Sequence, residues 1–187
     1  VDVSNPAAPA LIGSYTTGGI TPAYIAMDWP VVFIENGTTL LSIDASDPLA
    51  PALLGTDTAP DFIYGLSTGD GLLIANLTNT GAAVYDASPP QNPVYEGLIS
   101  AAGSSQEAVV VQDVAYLAQS SYGVNAQDLT APWAPADAGY WTGPNYSYAV
   151  AHGAGHLFVG NDFSAVTIHH TPACLEGFEP NDTPGSP

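Results

Sequence analysis

Residues 43–57 read IDASDPLAPALLGTD, and this element recurs along the chain at intervals of 42 residues. Its pattern is D-x-[ST]-x-P-x-x-P followed by Gly. The other copies are VDVSNPAAPALIGSY at 1–15, YDASPPQNPVYEGLI at 85–99 and QDLTAPWAPADAGYW at 127–141. Because proline has no backbone N–H and breaks helices, each element predicts a stiff connection between strands. The chain is therefore a tandem repeat.

The segments between these elements predict short β-strands. They are rich in β-branched and aromatic residues and are bounded by turn-forming residues, as in Val31–Ile34 and Leu40–Ile43. A period of about 40 to 45 residues with four strands is typical of a propeller blade. In the second repeat we predict strands at about 52–57, 61–68, 71–77 and 81–87. The predicted fold class is all-β, with β-propeller-type blades of four antiparallel strands.

The repeat also predicts how the chain divides. Four blades are expected at about 10–45, 52–87, 94–129 and 136–170, and residues 1–4 are expected to form one orphan N-terminal strand. One aligned column of strand residues is apolar in every copy: Val31, Leu73, Ala115 and Leu157. Neighbouring columns are apolar too, so blades are predicted to stack with apolar layers between them. Residues 172–187 are predicted to be an acidic linker or tail rich in Pro and Gly.

The repeated Val-Asp-Val-Ser-Asn-Pro-x-x-Pro element, at this spacing, resembles the LVIVD repeat family of β-propellers. The resemblance covers residues 1 to about 170. It implies a propeller on a secreted or surface protein of bacteria or archaea, and it supplies no catalytic residue. In the tail, Glu179–Thr183 resembles the lead-in to the pre-peptidase C-terminal domain of secreted bacterial proteins, which implies a longer precursor.

The aspartate that opens each element could bind a ligand or shape a turn. Its position beside Ser or Thr and Pro favours a turn in which the carboxylate accepts nearby backbone N–H groups. The predicted turn residues are Asp2, Asp44, Asp86 and Asp128.

The charge of the chain excludes several functions. Its 187 residues contain no Lys or Arg and 18 acidic residues, for a net charge of −18. That composition excludes the basic surface that nucleic acid requires and argues against anionic membranes. No apolar run approaches the ~18 residues that would span a bilayer. The expected partners are therefore other copies of the chain or other surface proteins.

The net charge and the N-glycosylation sequons together point to an extracellular or cell-surface protein. The single cysteine, Cys174, has no partner for an internal disulfide, so we expect it to be free or paired with a cysteine outside this sequence. Four N-glycosylation sequons begin at Asn36, Asn76, Asn145 and Asn181, and we expect Asn36 and Asn76 to lie at exposed turns.

All four histidines fall near the end of the repeat region: His152, His156, His169 and His170. Imidazoles on both sides of a hairpin could hold copper or zinc, as in the selenium-binding-protein type of propeller enzyme, a more distant resemblance. The favoured interpretation is an exposed hairpin in which His170 replaces the aspartate of the repeat, and no metal site is predicted.

Two other patterns are candidate sites. Acidic pairs such as Asp44 with Asp47 and Asp57 with Asp61 offer oxygen ligands for calcium, which stays open although no cofactor is predicted. Gly65–Gly69 matches the G-x-S-x-G pattern of a hydrolase, but a strand rather than a helix is predicted to follow it, so it is not interpreted as a nucleophile elbow.

Aromatic residues cluster in the fourth copy of the repeat: Trp133, Tyr140, Trp141, Tyr146 and Tyr148. Such side chains occur both in sugar-binding surfaces and in packed cores. We predict that they belong to the packed core.

We predict a non-enzymatic extracellular scaffold that self-associates or docks partners through blade faces and strand edges. The first alternative is a ligand- or glycan-binding propeller module cut from a larger secreted protein. The second is a metal-dependent propeller oxidoreductase that uses the four histidines.

Overall fold

The computed structural model describes residues 7–19, 21–88, 92–101, 103–142, 146–162 and 165–170. These residues form fifteen β-strands in four antiparallel sheets and contain no helix. The predicted all-β, propeller-like fold is confirmed.

Each sheet is built from strands that follow one another in the sequence. Sheet 1 contains β1 (Ile25–Asp28), β2 (Val31–Asn36), β3 (Thr39–Asp44) and β4 (Ala52–Thr58). Sheet 2 contains β5 (Ile63–Gly69), β6 (Leu72–Leu77), β7 (Gly81–Asp86) and β8 (Val94–Ser100). Sheet 3 contains β9 (Glu107–Val111), β10 (Val114–Ala118), β11 (Val124–Asp128) and β12 (Ala136–Trp141). Sheet 4 contains β13 (Ser147–Gly153), β14 (His156–Asn161) and β15 (Ala165–His170).

The sheets divide the chain differently from the predicted blades. The strand expected to open the second blade, at about 52–57, is β4, which pairs with β3 in the preceding sheet. The strands that open the predicted blades 94–129 and 136–170 likewise pair backwards, with β7 and β11. The reason is that the proline element reverses the chain, placing Ala52 opposite Asp44, so it joins two strands of one sheet. Residues 1–4 and 172–187 lie outside the described residues.

The four sheets stack around their first strands. The inner strands β1, β5, β9 and β13 contact one another in succession, and the outer strands are β4, β8 and β12. The G-x-S-x-G pattern lies entirely within β5, where both glycines permit close approach to the next sheet. A Cβ on Gly65 would lie 2.7 Å from the carbonyl oxygen of Gln106, and one on Gly69 would lie 2.9 Å from the Cβ of Val110. This pattern therefore serves packing between inner strands.

An apolar layer separates each pair of neighbouring sheets. We call the face of a sheet toward the next sheet its leading face, and the opposite face its trailing face. Phe33 and Leu40 on the leading face of sheet 1 pack against Leu73 on the trailing face of sheet 2. The corresponding layers follow between sheets 2 and 3, around Ile74, Val84, Ala115 and Leu117, and between sheets 3 and 4, around Tyr116, Val124, Val150 and Val159.

One hairpin is shorter in sheet 1 than in sheet 2. Asn36 pairs with Thr39 across a two-residue turn, whereas Leu77 pairs with Gly81 across three residues. This shifts β2 by one residue relative to the ungapped repeat. Val32, and not Val31, is therefore equivalent to Leu73, Ala115 and Leu157, and the predicted column is wrong at Val31.

The repeated aspartates make turn contacts. In each case Oδ1 accepts a 2.8 Å hydrogen bond from the backbone N–H two residues later: Asp44 from Ser46, Asp86 from Ser88 and Asp128 from Thr130. Hydrogen bonds from the side chain and backbone of Ser46 hold the pKa of Asp44 below its ordinary value. Asp2 lies outside the described residues.

A buried carboxylate stabilises the start of sheet 1 without a cation. Glu35 is only 4% exposed. Its oxygens accept backbone hydrogen bonds from Ala23 at 2.8 Å, Tyr24 at 3.3 Å and Gly37 at 2.7 Å. Buried carboxylates must be paired or hydrogen-bonded, and three backbone donors meet that need in a chain that has no Lys or Arg.

Candidate interaction surface

The leading face of sheet 4 repeats the chemistry of the internal leading faces, but none of the described sheets covers it. In the third strand of each sheet, Leu40, Ala82 and Val124 occupy one equivalent position and are 0%, 0% and 5% exposed. The same position in sheet 4 is Val166, which is 60% exposed. Two residues further on, Val84 and Ala126 are buried, whereas Ile168 is 60% exposed.

Across β14, the half-buried Phe158 pairs with Ile168 and extends this face. Phe158 is equivalent to Ile74 and Tyr116, which both lie in internal layers. The face is therefore an unpartnered copy of a packing surface. The sequence predictions missed Val166 and Ile168, although comparison with the third strands of the other copies would have identified them.

The trailing face of sheet 1 is the other end of the stack. Ile25 and Met27 on β1 are 68% and 56% exposed. Their counterparts on the trailing face of sheet 3, Ala108 and Val110, are buried against sheet 2. Both ends of the stack thus expose apolar side chains.

The outer half of this trailing face is covered by the segment at residues 10–16. Tyr15 packs against a cluster that includes Ile34, Leu41 and Ile43. Tyr15 lies two and three repeats before Ile99 and Trp141, each of which packs from an outer strand onto the following sheet. The segment therefore lies where the outer strand of a sheet preceding sheet 1 would lie.

A backbone contact supports this equivalence. The Cα of Gly97 in the outer strand of sheet 2 faces the element of sheet 3, and a Cβ there would lie 2.8 Å from the carbonyl oxygen of Pro132. Two repeats earlier, Gly13 contacts the carbonyl oxygen of Pro48 in the same way. At both of these positions the two backbones are too close for a side chain.

The four histidines are divided between the two faces of sheet 4. His156 pairs with His170, with ring centroids 5.4 Å apart, at the edge of the leading face. His169 pairs with Leu157 on the trailing face, as does His152. Within the described residues no group of three or more His, Cys, Asp or Glu could hold a metal ion. This division gives no support to a metal-dependent oxidoreductase at sheet 4.

His169 belongs to the internal layer between sheets 3 and 4. Its ring centroid lies 4.2 Å from that of Trp141, and Nε2 lies 3.2 Å from the hydroxyl of Thr167. Burial lowers the pKa of His169 because the charged imidazolium loses hydration there.

The predicted aromatic core is wrong for most of its members. Trp133, Tyr140, Tyr146 and Tyr148 are all exposed, and only Trp141 packs into a layer between sheets. Tyr146 and Tyr148 stack on each other with centroids 6.1 Å apart. Trp133 and Tyr146 lie in loops, Tyr140 lies on the outer strand β12, and Tyr148 lies on β13, and all four remain open to solvent.

A groove of about 500 Å³ lies between the outer parts of sheets 2 and 3. Tyr122 and Tyr140 line it together with Gln119, Asn125 and Asp137. The Asn125 amide donates to Asp137 at 3.1 Å. The amide nitrogen of buried Gln119 has no hydrogen-bond partner among the described residues. The groove therefore combines aromatic rings with amide side chains and one carboxylate.

The expectation that Asn76 lies at an exposed turn is wrong. This residue is fully buried within β6 and accepts a 2.7 Å hydrogen bond from the hydroxyl of Ser105. The longer turn of sheet 2 places Asn76 before the end of the strand, on the face toward sheet 3. Asn36 ends β2 and is exposed. Asn145, Asn181 and Cys174 lie outside the described residues.

The carboxylates of the acidic pairs accept hydrogen bonds from nearby backbone. Asp47 accepts from Leu49, Asp57 from Thr58 and Asp61 from Phe62, at 2.7 to 3.0 Å. Calcium binding stays a prediction. In the described part of the chain no helix is long and apolar enough to cross a membrane.

No protein-family model matches the chain, and no curated protein matches it. The LVIVD family is therefore not confirmed.

Solved structures do resemble it. The computationally designed Ika4 protein matches with a TM-score of 0.70 at 11% identity, over 88% of this chain and 99% of Ika4. The designed Ika8 protein matches with a TM-score of 0.65 at 10% identity, over 81% of this chain and 46% of that one. Sqt1 from Saccharomyces cerevisiae matches with a TM-score of 0.65 at 10% identity, over 82% of this chain and 46% of its own. This chain spans just under half of Ika8 and of Sqt1, and the likeness shows the fold alone.

Proposed function

We propose that this chain is a structural repeat scaffold that self-associates through the two end faces of its stack of sheets. The observation that carries this proposal is the exposure of Val166 and Ile168 at positions that are buried in every internal sheet. Large apolar surfaces left open in this way mark interaction sites.

The two end faces differ, so association joins the leading face of one copy to the trailing face of another. Such head-to-tail contacts form closed rings when the rotation between copies closes, and filaments when it does not. The contact must be apolar because a chain with charge −18 and no Lys or Arg cannot supply opposite charges to a copy of itself. Salt should therefore strengthen association, since it screens the mutual repulsion.

The proposal places the scaffold outside the cell, as a non-enzymatic member of an LVIVD-like group of surface proteins. Support comes from the absence of Lys and Arg, which leaves no site for trypsin-like proteases, and from the exposed sequon at Asn36. The repeated element supports the family assignment.

The test is the particle mass, measured by light scattering across protein and salt concentration. Wild-type chain should form particles larger than one chain. The double substitution Val166→Gln and Ile168→Gln should weaken association by about tenfold or more, since it removes apolar area worth ~25 cal/mol per Å². Val94→Gln is the matched control, because Val94 is a 47% exposed valine on the outer strand of sheet 2. A wild-type chain that stays monomeric at millimolar concentration and high salt would overturn the proposal.

The groove between sheets 2 and 3 favours a second candidate, a glycan-binding module. Exposed Tyr122 and Tyr140 offer flat faces, and amide side chains suit neutral hydroxyl groups. The test is calorimetric titration with soluble uncharged oligosaccharides. Binding that Tyr140→Ala removes and Tyr148→Ala retains would support this function, whereas binding that is indifferent to Tyr140 would exclude the groove.

A further inference from the structure

Within the described residues, one segment at the repeat position of an outer strand precedes sheet 1, and sheet 4 has no fourth strand. Each proline element joins the third strand of a sheet to its outer strand. The elements at 43–57, 85–99 and 127–141 serve sheets 1, 2 and 3. The element at 1–15 serves none of these sheets, and in the described residues sheet 4 ends at its third strand, β15.

The sequence after β15 does not repeat the element. One period after the copy at 127–141 stands HHTPACLEGFEPNDT, residues 169–183. The positions of the element's aspartate, hydroxyl residue, two prolines and glycine are taken there by His170, Pro172, Cys174, Gly177 and Asn181. Residues 10–16 are therefore the one described segment that stands at the repeat position of an outer strand but belongs to no described sheet.

We propose that residues 10–16 of a second copy of this chain form the fourth strand of sheet 4, beside β15. This inference rests on the self-association proposed above and names its partner and its contact. Residues 11–17 are not in a strand within one chain, as expected of a strand whose partner is on another copy.

The repeat predicts the register of this strand. In sheets 1, 2 and 3 the equivalent cross-strand pairs are Leu40 with Asp57, Ala82 with Ile99, and Val124 with Trp141. In sheet 4 the equivalent pair is Val166 opposite Tyr15, because Val166 stands one repeat after Val124 and Tyr15 stands three repeats before Trp141. The pairs Ser42 with Gly55, Val84 with Gly97, and Ala126 with Gly139 likewise place Ile168 opposite Gly13.

The same docking covers both end faces. Tyr15 already packs on the trailing face of its own sheet 1. Pairing residues 10–16 with β15 therefore brings that trailing face onto the leading face of sheet 4. Ile25 and Met27 of one copy then approach Phe158 and Ile168 of the other, as the inner and middle strands do in the internal layers.

Charge is depleted in both regions that meet. The chain has 18 acidic residues, yet none lies between Asp2 and Asp28, and Asp162 is the only one from residue 138 to residue 175. Interface cores are depleted in charged residues. In a chain without cations, this distribution lets two copies meet without carboxylates facing one another.

Two copies are favoured over one because the ends of one chain do not meet. Ile25 and Met27 at one end, and Ile168 at the other, are all exposed in the same chain. Propellers contain about 4 to 8 blades, so two copies make eight sheets and three copies make too many. The chain also matches 46% of each of two longer chains that share its fold.

The experiment is disulfide trapping between copies, in a Cys174→Ser background. Chains with Tyr15→Cys and chains with Val166→Cys carry tags of different mass, and they are refolded together under mild oxidation. Residues directly opposite on antiparallel strands have Cβ atoms close enough for a disulfide. The expected product is a cross-linked pair that contains both tags. Tyr15→Cys with Thr167→Cys is the control, because residue 167 points to the opposite face, and its cross-linking should be about tenfold lower.

Amide hydrogen exchange on the wild-type chain gives a second measurement that needs no substitution. The backbone N–H groups of residues 11–15 and of β15 should become protected at high protein concentration and lose protection on dilution.

The outcomes separate this inference from the proposed function. A disulfide that forms only within one chain, in the double variant Tyr15→Cys and Val166→Cys, would overturn exchange between copies in favour of closure by one chain. Assembled particles with no cross-link and no added protection would overturn strand exchange and leave the scaffold function standing. A monomer under all conditions would overturn both.

Discussion

The layer between sheets 1 and 2 and the leading face of sheet 4 come from the same repeat, yet they differ in solvent exposure. Phe33 is fully buried against sheet 2, whereas the equivalent Phe158 is half-buried. Leu40 is likewise buried, and its counterpart Val166 is exposed. The residue types on both faces are apolar, so the difference is the neighbour. Burial in a stacked repeat is set by position in the array as much as by the local sequence.

Truncation of the equivalent phenylalanines gives the largest expected effect. Phe33→Ala should lower the free energy of unfolding by about 3–5 kcal/mol because it leaves a cavity between two sheets. Phe158→Ala should cost about 1 kcal/mol or less in the dilute chain, where water already reaches the site. Urea unfolding below the association concentration makes this comparison. Equal costs would mean that the leading face of sheet 4 is covered within a single chain.

Removal of the buried charge of Glu35 tests the packing of sheet 1 at a second residue. Glu35→Gln replaces an acceptor that holds three backbone N–H groups with an amide, one end of which can only donate. The expected loss is about 1–3 kcal/mol in unfolding free energy. Glu96→Gln, on the outer strand of sheet 2, is the control and should change stability by about 0.5 kcal/mol or less. A silent Glu35→Gln variant would show that the carboxylate is dispensable in the packed layer.

Substitutions of two glycines also compare an internal contact with the open end of the stack. Gly97→Ala places a methyl group against the Pro132 carbonyl oxygen, and we expect a loss of about 1–3 kcal/mol from the backbone shift that follows. Gly153→Ala in the end sheet has open space around it, so its effect should stay below about 1 kcal/mol. Thermal melts of both variants at low concentration provide the readout.

Acid should destabilise the inner layer at His169. Burial lowers its folded pKa, so the neutral ring is favoured in the fold, and its contribution to stability is complete above the unfolded pKa of about 6.5. As pH falls through that value and then through the lower folded pKa, the contribution is lost. His169→Gln should flatten the change in urea midpoint between pH 7.5 and 5.5, whereas His170→Gln on the opposite face should retain it.

Ions are expected to have the smallest effect within one chain. Monovalent salt should raise the melting temperature slightly by screening repulsion among carboxylates. If calcium binds the acidic pairs, a chelator should lower the melting temperature at constant ionic strength. An unchanged melting temperature would show that calcium does not stabilise this fold.

The repeat period and the proline element predict the all-β, four-stranded sheets because both are local signals. They predict the sheet boundaries less well. A strand such as β4 could join the preceding or the following sheet, and the direction in which the proline element turns decides between them. A one-residue difference in hairpin length moved Val31 and Asn76 off their expected positions, and ungapped spacing carries no sign of it. Trp133 and Tyr140 are exposed because they lie in a loop and on an outer strand of sheet 3, and composition does not encode these positions.

The contact between each outer strand and the following sheet has a consequence for how such a gene changes. The units of 42 residues share the same strand order, and apolar residues recur on their leading and trailing faces. Duplication or loss of one whole unit thus preserves every interface, whereas a partial duplication creates mismatched faces. The number of sheets can therefore change one at a time without new contacts between sheets. The angle between neighbouring sheets then determines at which number the two ends of the stack meet.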